Sequence, residues 1–319
     1  MVKFTVSSSP HITGKDTTTK IMLDVIIALI PALIASVIFF GFRALLVALT
    51  CILSCVLSEF ICRKVMKRDN TIGDLSAVVT GLLLSLNLPV NIPLWMAVFG
   101  GIVAIVVVKQ FFGGLGQNFV NPAICARIIL MLCFAGAMTS WVTPNYKVHI
   151  DGLTGATPLG VLTTGEGQLP SFIQMLLGIR EGSMGETSII ALLIGGIYLV
   201  IKKVISPIIP VTFIGTVFVL AFLKGFDIKF ALYHILSGGL FLGAIFMATD
   251  YVTSPITKWG KVIFGVGCGA ITVAIRLFGS LPEGVSYSIL LMNILTPHID
   301  NLTLPKPFGK EKEVKNGKA

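Results

Sequence analysis

Long apolar runs separated by short polar breaks dominate the chain, at approximately 21–40, 43–62, 72–88, 92–110, 120–140, 187–201, 207–223, 230–249, 260–278 and 284–299. A straight membrane helix needs about 20 predominantly apolar residues, so these runs predict ten transmembrane helices. Several are short or carry Gly, Pro and Asn near their ends. One long polar segment, 141–186, divides the runs five and five. An odd number per half gives the halves opposite orientations, which is the arithmetic of an inverted repeat. The order Gly81-Leu82-Leu83-Leu84, Trp95, Phe112-Gly113 is echoed by Gly239-Leu240-Phe241-Leu242, Trp259, Phe278-Gly279. In such a repeat the runs 72–88 and 230–249 are expected to be broken helices, because irregular backbone at membrane depth survives only where it is buried or lines a cavity. The expected fold is an all-α polytopic membrane protein with about ten helices in two inverted five-helix repeats. The expected domains are a membrane repeat at 1–140, an extracytoplasmic loop at 141–186, a second membrane repeat at 187–300 and a basic cytoplasmic tail at 301–319.

Composition agrees with a membrane class. The 319 residues are 55% hydrophobic and 12% charged, with mean hydropathy +0.92. Soluble domains carry roughly 25% charged residues, and a soluble chain this apolar would expose large apolar patches. The net charge of +9 does not point to nucleic acid, because Lys and Arg cluster in short segments between apolar runs. With the N-terminus inside and the runs alternating, seventeen of the 24 basic residues fall on the inner side. Six fall outside (Arg43, Lys147, Arg180, Lys224, Lys229 and Arg276), and Arg127 lies within a run. The positive-inside rule then places both termini in the cytoplasm and loop 141–186 outside. The first twenty residues are polar, with Lys3, Lys15 and Lys20, and show no cleavable signal. Six cysteines form no C-x-x-C. Cys51 and Cys55 share a helix face, as a metal pair or as small apolar residues.

Chemistry concentrates in a few polar stretches. Asp151-Gly152-Leu153-Thr154-Gly155-Ala156-Thr157-Pro158-Leu159 lies in the long polar segment. Thr157 offers a hydroxyl for a phosphoester, and Gly155 and Ala156 leave it unshielded. Asp151 either begins an Asx-turn or contacts the metal of a modifying enzyme. Gly114-Leu115-Gly116-Gln117-Asn118-Phe119-Val120-Asn121-Pro122-Ala123 leads to Arg127. Asn121 and Pro122 suit the N-cap and first position of a helix; amides at a bundle mouth also suit the polar edge of a flavin ring. Ionisable residues in or beside the runs are Asp24, Glu59, Asp74, Lys109, Arg127, His234, Asp250, Arg276 and Glu283. Glu59, Lys109 and Arg276 lie near run ends, where they can snorkel. Arg127 lies about 9 Å into its helix at 1.5 Å per residue, and should face protein or a cavity and pair with an acid or a flavin. No spacing specifies a metal site, an iron–sulfur cluster or a nucleotide-binding fingerprint.

The 151–157 stretch resembles the flavinylation signal D-G-x-[S/T]-G-A-T of the NqrB/RnfD family, with Thr154 where Ser is common. The stretches Gly114–Arg127, Phe246–Pro255 and Phe278–Ser288, the last continuing to Met292-Asn293 and Thr296-Pro297, resemble the same family and span both halves. The length and short polar N-terminus suit its RnfD branch better than NqrB. The resemblance implies a urea-transporter-like fold and FMN joined through its phosphate to Thr157. Asp151, Gly152, Thr154, Gly155 and Ala156 would form the recognition signal for the flavin transferase ApbE. It also implies a non-covalent riboflavin, with Asn118, Asn121 and Asp250 as candidate contacts; Arg127 is a further candidate for binding a cofactor. Partners would be other Rnf subunits (RnfA, RnfB, RnfC, RnfE and RnfG types) and membrane lipid. The setting would be the bacterial inner membrane, and the activity electron relay between ferredoxin and NAD+ coupled to Na+ or H+ movement, with no complete catalytic site in this chain. The alternatives are an NqrB-type subunit of a quinone reductase and a channel without redox role.

Overall fold

The computed structural model describes residues 17–144, 157–164, 169–279 and 283–305. Their regular structure is helical. In chain order the helices are α1 Thr18–Phe40, α2 Phe42–Val65, α3 Ser76–Leu86, α4 Leu94–Ile102, α5 Pro122–Cys133, α6 Ala135–Met138, α7 Pro158–Thr164 and α8 Phe172–Leu177. They continue with α9 Ile189–Ile201, α10 Ile208–Gly225, α11 Ile228–Leu236, α12 Leu240–Leu242, α13 Lys258–Phe278 and α14 Val285–Thr303. Two π-helical stretches, Val103–Gln110 and Gly243–Met247, prolong α4 and α12.

The expectation of ten spans in two five-helix repeats is corrected here. Among the described residues four helices are long and apolar enough to cross a membrane: α1, α2, α10 and α13. A fifth is reached if α11 and the Leu240–Met247 segment, bent by 64°, count as one span. Local sequence explains the shortfall. Run 72–88 yields only the eleven residues of α3, between Leu75 in a left-handed conformation and Asn87, whose amide donates to Leu83 O. Run 120–140 breaks at Phe134, and run 187–201 stops at Lys202 after thirteen residues. Run 284–299 gives the 19-residue α14, but Ser286, Ser288, Asn293 and Thr296 thread polar groups along it. A count of apolar letters does not register how often the backbone is turned aside.

Close helix contacts hold the bundle together: α2 packs along α3 and α4, α1 along α9, and α13 along α10 and α14. Small residues permit this. A Cβ on Gly81 would lie 2.7 Å from Ile52 Cα, and one on Gly265 would lie 2.0 Å from Thr212 Oγ1. Between membrane helices, where lipid is as apolar as leucine, such backbone approach supplies much of the packing attraction. The outward sides carry exposed Ile38, Leu53, Ile197 and Val211, a surface suited to lipid. The protein is a multi-pass, mostly helical membrane protein.

Candidate functional site

Two buried polar regions stand at opposite ends of α3, one beside Ser76 and one beside Asn87. The first surrounds a cavity of about 110 Å3 that opens to the outside. Lys109, Asn118, Asn121, Thr249 and Asp250 all line it. Three residues named from sequence (Asn118, Asn121 and Asp250) are thus brought to one place.

Their bonds distinguish them. Asn121 caps α5, its Oδ1 accepting from Ala123 N and Ile124 N at 3.0 and 3.3 Å, with Pro122 at the first helical position. Its Nδ2 donates to Met247 O at 3.3 Å, which ties the cap to the π-helical stretch. Asn118 Nδ2 donates to Val120 O at 3.0 Å. Asp250 is half-buried and accepts from Thr253 Oγ1 at 3.2 Å.

Behind this cavity lies an ion pair. Lys109 Nζ stands 3.0 Å from both oxygens of Glu59 and 2.6 Å from Ser76 Oγ. Gln110 and Thr71 also donate to Glu59. Lys109 is 2% exposed and Glu59 0%, so the snorkelling expected of both is corrected. The two charges satisfy each other within the bundle.

The second region is the break between α11 and α12. A helix end leaves unpaired carbonyls and a negative dipole end, a helix start unpaired N–H groups and a positive one. Both are neutralised by side chains. Arg180 donates to Leu236 O and to Glu186 O. Arg276 donates to His234 O and, at 3.2 Å, to Ser237 O. Glu283 Oε1 accepts from Gly239 N at 3.1 Å, at the start of α12. Arg276 is 2% exposed and does not snorkel; it is a cap on a buried helix end.

Arg127 joins this staple to α3. Its Nη1 donates to Asn87 Oδ1 at 2.8 Å and to Ser286 Oγ at 3.2 Å. Its Nη2 pairs with Glu283 and lies 3.5 Å from Glu186 Oε1. The expectation that Arg127 is buried and paired with an acid holds. Glu186, Arg180 and Asn87 were not singled out in the sequence. Glu186 and Arg180 sit in a polar segment where charge draws no notice. They are buried because Met184 N and Gly185 N donate to Leu88 O and Leu86 O, docking that segment on the end of α3.

Thr157 begins α7. It is half-buried, its Oγ1 accepts from Gly160 N at 3.2 Å, and its carbonyl accepts from Val161 N. The Leu159 side chain reaches Gly238 beside Arg276 and Glu283. Asp151, Gly152, Thr154, Gly155 and Ala156 lie outside the described residues. Among the described residues no group of three or more His, Cys, Asp or Glu is placed to hold a metal ion.

Fold and site together define a helical integral membrane protein with buried charges at a helix break and a polar-walled cavity. The chain belongs to the NQR2, RnfD, RnfE family, whose model matches residues 5–309. It is 48% identical to the D-type component of the Na(+)-translocating ferredoxin:NAD(+) oxidoreductase complex of Acetobacterium woodii, with 100% of this chain and 99% of that one covered. It is 46% identical to the D-type component of the proton-translocating ferredoxin:NAD(+) oxidoreductase complex of Clostridium ljungdahlii, covering 96% of each. The corresponding component of the ion-translocating oxidoreductase complex of Stutzerimonas stutzeri is 38% identical, over 91% of this chain and 92% of that one. The chain is thus one of a family of subunits of ion-translocating membrane oxidoreductases.

Proposed function

We propose that the chain carries FMN, joined through its phosphate to Thr157, and relays electrons within an Rnf complex that couples ferredoxin oxidation and NAD+ reduction to Na+ or H+ movement. The observation that carries this reading is Thr157 itself: the last residue of the flavinylation signal stands half-exposed at a helix start. Its Oγ1 is held there as an acceptor by Gly160 N, a role that an ester oxygen retains. The flavin would supply one-electron chemistry. The protein would supply the attachment point and, through α7, contact with the charged helix break.

The cavity at the other end supports a second, non-covalent flavin of the riboflavin type. Asp250 and Thr249 offer polar atoms in its wall, and Asn118 stands at its rim. Asn121 is committed to capping α5 and shapes the wall instead. Arg127 belongs to the helix break and does not line this cavity.

We place 141–186 outside, with the basic ends of α2 (Arg63, Lys64) and α13 (Lys258, Lys261) in the cytoplasm. An outside Thr157 needs an exported flavin transferase of the ApbE type. Partners would be the other subunits of the complex and lipid.

Thr157→Ala tests the reading. Full-length protein coexpressed with the transferase should fluoresce in a denaturing gel under ultraviolet light, and Thr157→Ala should not, while still inserting in the membrane. A peptide spanning 151–159 should carry the flavin mass. An unmodified peptide from the native complex would favour the channel alternative.

A further inference from the structure

Stapling the helix break accounts for Arg180, the two Nη atoms of Arg276 and one oxygen of Glu283. It does not account for Glu186. Its side chain is 5% exposed, and among the described residues its Oε1 has no hydrogen-bond donor, with Arg127 Nη2 3.5 Å away. Buried polar atoms without partners are few in folded proteins and call for an explanation. The carboxyls of Glu186 and Glu283 both approach Arg127 Nη2. Both also close on one point in the break: a Cβ on Gly239 would lie 2.9 Å from Glu283 Oε1 and 3.5 Å from Glu186 Oε1. Two carboxylates that share one arginine, Glu186 buried and Glu283 only 13% exposed, are costly as two anions, and the arginines around them offset part of that cost. With one proton between them, one carboxyl donates its O–H and the other accepts.

We propose that Glu186 and Glu283 together hold one exchangeable proton, so that the α11–α12 break is a protonation site in the wall behind α7. The ligand is a proton and not a metal cation. Arg127 from α5, Arg180 from the segment before α9 and Arg276 from α13 face the pair, and a cation would meet three fixed positive charges. The other titratable neighbours are His234 on α11 and Tyr287 on α14. The proton resides on Glu186. Burial first, and then Glu283, raise its carboxyl to about 7, against the pull of Arg127 and Arg180. Burial acts to raise Glu283 as well, but Arg127, the Gly239 N–H and Arg276 hold it below the usual range.

The site is joined to α7. Leu159 Cδ2, Arg276 Nη2 and Glu283 Cγ all lie within 4 Å of the Cβ position of Gly238. Resting on the Thr157 reading, a flavin that gains negative charge on reduction would favour the protonated pair, with the proton taken from water.

Infrared spectroscopy of the purified complex tests this. The wild type should lose one protonated-carboxyl band as pH rises through about 7. Glu186→Gln should remove that band completely, and Arg43→Leu should leave it. Wild type lacking such a band overturns the proposal, as does a band that both Glu186→Gln and Glu283→Gln leave in place. If Glu186→Gln does not assemble, wild type with 13C-labelled glutamate decides: the band must shift with the label, and a band that stays overturns the proposal. Gel fluorescence of the same sample keeps the two readings apart. A flavin-free sample with the titrating band sinks the Thr157 reading alone. A flavin-bearing sample whose band does not grow on dithionite reduction sinks the linkage to α7.

Discussion

The cavity end and the helix-break end bury charge in different ways. Beside the cavity, Lys109 and Glu59 pair one to one, supported by Ser76, Gln110 and Thr71. At the break, three arginines meet two glutamates, and four of their bonds go to the facing helix ends. The first arrangement is self-contained and leaves open space beside it. The second is a scaffold: remove a member and backbone groups lose partners as well as a charge. A buried ion in a membrane protein is commonly taken as functional. The comparison shows that some such ions are first of all caps for broken helices, and that the member a cap does not use, here Glu186, is the informative one.

Arg127→Leu should therefore have the largest effect. It removes the partner of Glu283 and the donor to Asn87 and Ser286, so α3 and α12 lose their common tie. Breaking a buried pair from one side costs about 3–5 kcal/mol. Thermal unfolding in detergent and the yield of assembled complex should both fall sharply. Wild-type behaviour would mean that the break is held by packing alone.

At the cavity end the pair should be replaceable as a unit. Lys109→Met alone leaves Glu59 buried and uncompensated, at a cost of about 3 kcal/mol. Lys109→Met with Glu59→Gln keeps an acceptor for Thr71 and Gln110, and should recover most of the loss, to within about 1 kcal/mol of wild type. A double variant no more stable than the single one would show that this end, too, needs its charges as scaffold, and the contrast between the two ends would fail.

How much of this was legible in the sequence follows the same division. Asn121-Pro122 read as a helix start because capping is local chemistry, and the helix begins there. Arg127 read as buried because it lies amid apolar letters. Asn118 and Asp250, far apart in sequence, were joined through motif resemblance, and they share a cavity. Glu186 and Arg180 were illegible, since their burial depends on the 184–185 segment pairing with the end of α3. The number of spans was overcounted for a related reason. Left-handed Leu75, the break at Phe134 and the bend after Leu236 are backbone events within apolar runs, and hydropathy does not register them.

The smallest effect should come from Arg43→Leu, which isolates what burial adds. Arg43 resembles Arg276 in its bonds: its Nε donates to Val90 O at 3.2 Å and its Nη2 to Ile92 O at 3.3 Å. It differs in setting, being exposed, whereas Arg276 is 2% exposed. If Arg43 is lost, the carbonyls of Val90 and Ile92 lose a donor that was itself open to solvent, and a leucine at the membrane edge meets no penalty. A hydrogen bond of this kind nets about 0.5–1.5 kcal/mol, and the exposed setting puts Arg43→Leu at the lower end. Arg276→Leu, with no water to replace it at the end of α11, should cost several-fold more in the same unfolding measurement. Equal losses for the two would mean that the carbonyl bonds, and not their burial, set the energy of the staple.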